Sequence, residues 1–509
     1  MKTRKLFLRP WKGLLLAALL LALAFSAQAQ GMVMMGFEDP AVSRDWSQNR
    51  FFQHMEGLTG LSFTFRQYGD EGEYRRALTA LGQDGQPLPD VLFKAALSPA
   101  ETIRLLEAGV LIDLAPYLEA HCPNFFALME ADPLLRQAVT LPGGQIGALP
   151  FVETAPAQNV LWINREWLET LKLEMPGDAE GMQAVLQAFK TGDPNRNGRQ
   201  DELPLSFMGP YDLKYLAHAF GLSANDFNLF VKDGAVRFMP LEEAFAPFLA
   251  WCRELYQEGL LDKDGFTTLD AFRRVTDTKG VNRFGAFFAP FPTYLVPMEW
   301  AQAYLALPPL SYGGERVYRA IAQPVQTGTF AITSACEDIV AALNWVDHLY
   351  SLEGAVLSGV GLEGADYVVD GDGSWRSIPG IHDPAYQANG IIATGTSIPG
   401  ISSDAFQRRY TDPLVRALSE QVDVVSAVAR VPFPPFSLTA EEEADIAPLQ
   451  AAIAEHVDVS IARFILGERE ITEPELAAFR QELEALGLER FMAFWQTIYD
   501  RTEGQGLEK

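Results

Sequence analysis

Runs of two different periodicities alternate along the chain. LSFTFRQY (Leu61–Tyr68) alternates apolar and polar positions and predicts a half-buried strand. DVLF (Asp90–Phe93) reads as a short apolar strand. SPAETIRLLEAG then predicts a helix, with Ser98 as N-cap, Pro99 at the first helical position, Glu101 completing a capping box and Gly109 as the stop. VTLPGGQIGALPF (Val139–Phe151) reads as a hairpin around Pro142-Gly143-Gly144. Met182, Val185, Leu186 and Phe189 share one face of a further helix. Ser334-x-x-Glu337 opens another, bearing Ile339, Leu343, Val346 and Leu349. From about Pro448 the pattern is mainly helical, with Gly467 as a stop and Thr472-x-x-Glu475 as a cap. Strands interleaved with helices predict α/β layers, not a β-sandwich or a helical bundle.

The N-terminus departs from this pattern. Lys2, Arg4, Lys5, Arg9 and Lys12 form a basic region ahead of an apolar run, Leu14–Phe25, and Ala27-Gln28-Ala29 offers a small-x-small cleavage site. The run is shorter than the roughly 20 residues of a membrane span, so cleavage after Ala29 is expected; an uncleaved anchor is the other reading. The remaining composition is globular, 48% hydrophobic and 21% charged over the 509 residues, enough for more than one core. Setting aside residues 1–29 leaves 35 Lys and Arg against 66 Asp and Glu, a formal charge of −31. That balance disfavours nucleic acid and anionic membrane as partners, but a local basic cluster could still hold an anionic ligand. Cys122, Cys252 and Cys336 are too few for a disulfide framework and read as buried thiols.

Catalytic signatures are sparse. The six histidines are scattered, and HExxH, GxSxG, GxxxxGK[ST] and CxxC are all absent from the sequence. GVGLEG (Gly359–Gly364) has dinucleotide-site spacing, but it follows a helical pattern and leads into the strand-like ADYVV, so it reads as a turn or hinge. DGDG (Asp370–Gly373) reads as a turn between two short strands.

DPNRNGRQDELP (Asp193–Pro204) carries more chemistry. Counted as a calcium loop, it places Asp193, Asn195 and Asn197 at positions 1, 3 and 5, Gly198 at 6, the Arg199 carbonyl at 7 and Asp201 at 9. Position 12 is Pro204, so Glu202, at position 10, is the acid left to close the cage. Six oxygen-bearing groups with three formal negative charges suit Ca²⁺ better than Mg²⁺, which keeps its waters. An ion-free Asx-rich turn is the other reading. With no second such loop in the sequence, a structural clip is expected, not a sensor.

The chain resembles the extracellular solute-binding proteins of carbohydrate ABC importers, family 1, and within it the subgroup with alginate-oligosaccharide-binding members. The resemblance is carried by LPDVLF followed by SPAETIRLLEAGVLIDLAPYLEAHCPN, by GGQIGALPF with NVLWINREWLETLKLEMP, by AFKTGDPNRNGRQDELPLSF, by LNWVDHLYSLEG, by GVGLEGADYVVDGDG, and by the C-terminal FILGEREITEPELAAFRQELEALGLERFMAFWQTIYD. It covers nearly all of residues 45–500. It implies an α/β, two-lobed clamshell of the type II periplasmic-binding kind, closing on a sugar about hinge crossovers. It also implies a structural Ca²⁺ held by Asp193, Asn195, Asn197, Arg199, Asp201 and Glu202, the early acid being the subgroup's own pattern. Many relatives carry a lipobox cysteine where this chain has AQAQ, so a freely diffusing exported receptor is expected, a monomer delivering its ligand to a membrane permease.

Crossovers are expected near Gly147–Phe151 and Leu305–Leu310, and a third around residues 359–364. These give a signal segment 1–29, a first lobe of 30–149 plus about 306–360, and a second of about 150–305 plus 361–509 with a helical end. A sugar offers apolar faces to aromatic rings and hydroxyls to planar polar groups, between the lobes. Tyr211, in MGPYDL, is the leading aromatic candidate, because related sugar receptors place an aromatic after an equivalent proline. Trp300, Tyr294, Tyr367 and Trp375 are further candidates, with Lys94 at a strand end and Glu153 past the first crossover; Trp162 is assigned to the core. An exported polysaccharide hydrolase or lyase, or a receptor for a non-sugar solute, are the competing functions.

Overall fold

In the computed structural model, residues 31–503 are described apart from 39–44, 84–86, 155–158, 268–279, 321–324, 372–374, 379, 381–397 and 404–412. The expected signal segment lies outside the described residues. Ten strands build the two principal sheets. They are β1 (Met32–Phe37), β2 (Phe63–Tyr68), β3 (Val91–Phe93), β4 (Leu149–Val152), β5 (Val160–Asn164), β6 (Leu203–Ser206), β7 (Phe284–Ala289), β8 (Tyr304–Ala306), β9 (Val325–Ile332) and β10 (Gly400–Ile401). The first sheet runs β10-β4-β9-β3-β1-β2 and the second β8-β5-β7-β6.

Each sheet has its own core. In the first, Trp345 is fully buried in a ring of phenylalanines, Phe51, Phe52, Phe63, Phe93 and Phe330, at centroid separations of 5.1 to 6.3 Å. Aromatic side chains bury large areas and favour edge-on packing, so this cluster fastens the helix Ile339–Asp347 to the sheet. In the second core, Trp162 is fully buried on β5 and Phe189 meets Trp167 edge-on at 5.2 Å. The face Met182, Val185, Leu186 and Phe189 is buried as its spacing requires. The C-terminal helices Ala440–Leu466 and Glu473–Leu486 bury Phe464 and Phe479 in the same core. The helix Ala440–Leu466 also packs against Pro99–Glu107 of the first unit, and Ser437 Oγ donates to Ala138 O at 3.1 Å.

Local signals held where they were self-contained. Ser98 and Glu101 form the expected capping box, and Gly467 ends its helix at φ 79°. All three cysteines are free and buried. Tyr367–Val369 pairs with Trp375–Ser377 as a hairpin, with part of the intervening turn outside the described residues. GVGLEG is a loop closed by Asp366, whose carboxylate accepts from Leu362 N at 2.7 Å and pairs with Arg50 at 2.7 Å.

Three readings were overturned. Val139 ends a helix, Pro133–Val139, and residues 141–145 form a tight turn, so the hairpin pattern is not a hairpin. The apolar strand after it, β4, pairs instead with β9, far along the chain. Asp338, not Ser334, caps the helix beginning at Ile339, because its carboxylate reaches Ala341 N at 2.9 Å. Thr472 stands at the expected N-cap, but its side chain makes no capping bond.

β9 bends at Gly328, where φ is 72° and an added Cβ would lie 2.0 Å from Leu97 O. Both the left-handed backbone and the close approach require glycine there. Gly328→Ala is expected to lower stability by about 2 kcal/mol or more, read as a lower urea midpoint with an unchanged m-value.

Candidate functional site

Strand register determines which sheet edges meet. β1 is parallel to β2 and β3, so Phe37, Tyr68 and Phe93 end on one edge of the first sheet. β9 is antiparallel to β3 and β4, which brings Val325 and Val152 to that same edge. In the second sheet, Val160 of β5 lies opposite Ala289 of β7, and Ser206 of β6 lies opposite Phe287. The start of β5 and the ends of β6, β7 and β8 therefore share one edge. The chain leaves the first edge at Val152 and enters the second at Val160, a step of at most about 28 Å. This short crossing joins the carboxyl-end edges of the two sheets, and such edges are the place where open α/β sheets hold ligands.

On the first edge, Lys94 follows β3 at φ 52° and is 4% exposed. Its ammonium lies 2.7 Å from Glu38 Oε1, and Trp46 Nε1 donates to Glu38 Oε2 at 3.0 Å. A buried charge is tolerable only when paired in this way. Glu153, half-buried, follows β4 on the same edge, next to Thr154, whose N–H donates to Ser402 Oγ at 3.1 Å.

On the second edge, Tyr211 sits in the short helix Pro210–Leu213 after β6 and is 45% exposed. Tyr294 ends the turn Pro292–Tyr294 after β7 and is 58% exposed. The Tyr211 turn is held in place beneath. Asp212 accepts from Asn159 Nδ2 at 3.1 Å and from Met208 N at 2.8 Å. Buried Arg319 lies 4.8 Å from the Tyr215 ring and pairs with Asp226. His218 is buried, with Nδ1 donating to Tyr215 O and Nε2 accepting from Leu310 N at 2.9 Å.

The other candidates lie elsewhere. Tyr367 and Trp375 pack edge-on at 6.1 Å against Val356 and Val360. Trp300 lines a groove of about 800 Å³ at the opposite edge of the second sheet, with Trp167, Glu166, Asn195, Asn282 and Glu299. Sequence reasoning missed Glu38, Trp46, Tyr215, Asp226 and Arg319. Trp46, in the polar run SRDW, was the one visible signal, since a tryptophan in polar surroundings needs a partner for its N–H.

The loop Asp193–Glu202 joins the helix Ala179–Thr191 to β6. Asp193 Oδ1 and Oδ2 accept from Asn197 N and Gly198 N, each at 3.1 Å, and Asn197 Oδ1 accepts from Arg199 N at 2.7 Å. Asp201 Oδ1 accepts from Asn197 Nδ2 at 2.8 Å, and Arg283 Nε donates to Asp201 O at 2.7 Å. Among the described residues, no group of three or more His, Cys, Asp or Glu is placed to hold a metal. The donor set here is accordingly mixed, with Asn and carbonyl oxygens beside three acids. Glu202 is 9% exposed, and neither carboxylate oxygen has a hydrogen-bond partner. Burial pushes its carboxyl up, the backbone N–H groups of Glu202 and Asp201 partly offset this, and the charges of Asp193 and Asp201 add to the rise. A buried carboxylate without a well-formed hydrogen bond, set among other acids, has the chemistry of a cation ligand. The residues present therefore fit Ca²⁺.

Two α/β cores linked by a crossing at the carboxyl ends of their strands are the architecture of the two-lobed solute-binding proteins. No family model matches the chain. It is 25% identical over 489 residues, 91% of its length and 88% of the relative's, to the fructooligosaccharide ABC transporter substrate-binding protein FusA of Streptococcus pneumoniae serotype 4. Solved structures of FusA with kestose, and of an EF-hand mutant of FusA with fructo-nystose, each superpose with TM-score 0.67 at 24% identity over 94% of this chain and all of theirs. An extracellular solute-binding protein of Bifidobacterium longum subsp. infantis gives TM-score 0.74 at 19% identity, covering 94% of this chain and 99% of that one. Alginate-binding AlgQ2, solved without calcium ion, gives 0.61 at 21%, covering 93% and 99%. The resemblance read in the sequence, to solute-binding proteins of carbohydrate ABC importers, and the two-lobed α/β fold are both borne out. That relative, matched over most of both chains, is by name a substrate-binding protein.

Desolvation lowers the His218 pKa to about 4. Its folded value lies below the unfolded value of about 6.5, so the unfolded chain binds more protons between the two. The neutral ring's contribution is complete above about pH 6.5 and is lost as pH falls towards 4, a swing of up to about 3 kcal/mol. Denaturant titrations from pH 7 to pH 4 are expected to show this slope in the parent and a flatter one in His218→Gln.

Proposed function

We propose that the protein is an extracytoplasmic receptor of an ABC importer that binds an oligosaccharide between its lobes and hands it to a membrane permease. The observation that carries this reading is the pair of exposed tyrosines, Tyr211 and Tyr294, on the edge of one core that faces the other. Aromatic faces stack on the apolar faces of sugars, and burial between two surfaces supplies the remaining contacts. The relationship to FusA, by name a fructooligosaccharide-binding protein, supports the same reading over most of both chains.

The mechanism is capture, not turnover. Ligand stabilises the closed arrangement because it touches both edges only there. Tyr211 and Tyr294 supply the stacking surface, and Glu153 and the Thr154–Ser402 pair are the polar groups nearest the crossing. The buried Lys94–Glu38–Trp46 cluster fixes the first edge. Among the described residues no helix is long and apolar enough to cross a membrane. Export follows from the expected signal segment, and a monomer is the proposed state.

The lobes correspond, on this proposal, to the two cores. The chain passes from first to second after Val152, returns between Leu310 and Val325, and passes again after Ile401, later than the expected crossing at 361. In the loop, Asp193, Asn195, Asn197, the Arg199 carbonyl, Asp201 and Glu202 hold a structural Ca²⁺. Its charge offsets the three carboxylates and ties the helix Ala179–Thr191 to β6. The EF-hand mutant of FusA and the calcium-free form of AlgQ2 support a calcium loop in proteins of this fold.

Two measurements test these readings. A glycan-library thermal-shift screen is expected to find an oligosaccharide that raises Tm, with a smaller radius of gyration by X-ray scattering, and Tyr211→Ala is expected to weaken that binding about tenfold or more. Sustained release of reducing ends or unsaturated sugars would instead show an enzyme. Chelation followed by dialysis is expected to lower Tm and to be reversed by Ca²⁺. Glu202→Gln is expected to be destabilising in Ca²⁺ and neutral or stabilising in chelator, because the charge it removes is an unpaired buried one.

A further inference from the structure

Trp300 stands away from the cleft edge, in a groove to which the receptor reading gives no task. We infer that this groove is a second carbohydrate-binding site, taking a short saccharide independently of the cleft. It lies at the other end of the second sheet, where β5 finishes at Asn164 and β7 and β8 begin. The length of β5 holds the two places about 13 Å or more apart. The groove encloses about 800 Å³, within the range of small-molecule sites. Its walls are tied to one framework: Asn164 Oδ1 accepts from Trp167 N at 3.1 Å, and Arg165 N donates to Ala303 O at 2.8 Å. A site held in this way needs little rearrangement to receive a ligand.

Two tryptophans give the groove an apolar surface. Trp167, on the helix Arg165–Leu171, is buried and belongs to the second core. Trp300, on the short helix Met298–Ala301, is half-buried; it packs on that core and also lines the groove. A half-exposed indole offers a flat apolar face to the C–H face of a sugar ring. Polar groups of both kinds surround it. Asn282 Oδ1 accepts from Phe284 N at 3.2 Å, so its amide nitrogen remains as a donor. Among the described residues, neither that nitrogen nor Trp300 Nε1 makes a hydrogen bond. Glu169 is engaged by Arg165 at 3.7 Å, which leaves the exposed Glu166 and Glu299 as acceptors. Donors and acceptors side by side around a ring face suit a ligand whose groups both donate and accept, and sugar hydroxyls do both. A cationic ligand would use the carboxylates and leave both N–H donors idle.

The test follows the indole N–H signal of Trp300 by NMR in the intact, isotope-labelled protein in Ca²⁺-containing buffer, the signal being assigned by its loss in Trp300→Phe. Neutral trisaccharides of fructo, gluco and manno configuration are the probes, with spermidine as the cationic comparison. At least one trisaccharide is expected to shift the signal saturably, with the same midpoint in the parent and in Tyr211→Ala. Glu166→Gln and Glu299→Gln alter exposed side chains and are each expected to weaken this step severalfold with parent-like melting. Trp300→Ala is expected to weaken it about tenfold or more by calorimetry, with Trp300→Phe retaining most of the affinity. No saturable shift with any trisaccharide overturns the inference and leaves the cleft reading standing. A midpoint that moves with cleft affinity in Tyr211→Ala reports transmission from the cleft and overturns a separate site. A response to spermidine alone overturns the carbohydrate class. A parent whose glycan binding is confined to the Trp300 step overturns the receptor reading and leaves this inference standing.

Discussion

The short crossing from Val152 to Val160 is the constraint on which the rest of the molecule depends. A parallel strand arriving at one sheet edge must continue somewhere, and eight steps of extended chain reach no further than about 28 Å. The edge of the second sheet entered by that segment is therefore held near the edge just left. The later passages obey the same geometry: Val325 re-enters beside Val152, and Ile401 lies beside it on the other side. The carboxyl edges are brought near one another by chain connectivity, before any side chain is considered.

Those walls are built differently. The first is rigid at its centre, where Lys94, Glu38 and Trp46 form a closed set of buried hydrogen bonds. Satisfied polar groups at low dielectric fix the edge strongly. The second wall carries its exposed rings on short turns after β6 and β7, stiffened from below by Asp212, Arg319 and His218. Aromatic residues are exposed there because the turn that supports them is itself fully bonded. At the far end of the same lobe, the acidic loop ahead of β6 ties a helix to that strand. The turn bearing Tyr211 follows β6 directly, so order at the loop and order at the cleft are linked through one short strand.

The division of labour among acidic residues follows the same logic. Glu38 and Asp366 are buried and matched to one cation each, Lys94 and Arg50. Glu202 is buried with no hydrogen bond to its carboxylate oxygens. Asp226 is exposed and faces outward from its arginine. The carboxylates of this acidic chain thus differ by burial and partner, and not by residue type.

By itself the sequence determined what short range can determine. The capping box at Ser98, the buried face from Met182 to Phe189, the thiols left unpaired and the spacing of oxygen donors from Asp193 to Glu202 all depend on residues within a few turns of one another. Their physics is complete inside that window, so they could be read directly. The same applies to Lys94 at a strand end and to Tyr211 after its Gly-Pro turn, as positions if not as roles. What only the tertiary structure decided is which distant segments meet. The apolar run after Gly147 pairs with β9 instead of closing a local hairpin, because a long-range ladder with both faces covered outweighs a turn signal. Tyr367 and Trp375 went to packing, Trp300 went to the far edge of its sheet, and Lys94 went to Glu38. Arg319 reached Asp226 and Tyr215 across nearly a hundred residues with nothing in its neighbours to announce it. Partner choice between remote side chains is a property of the assembled edges, and no local pattern encodes it.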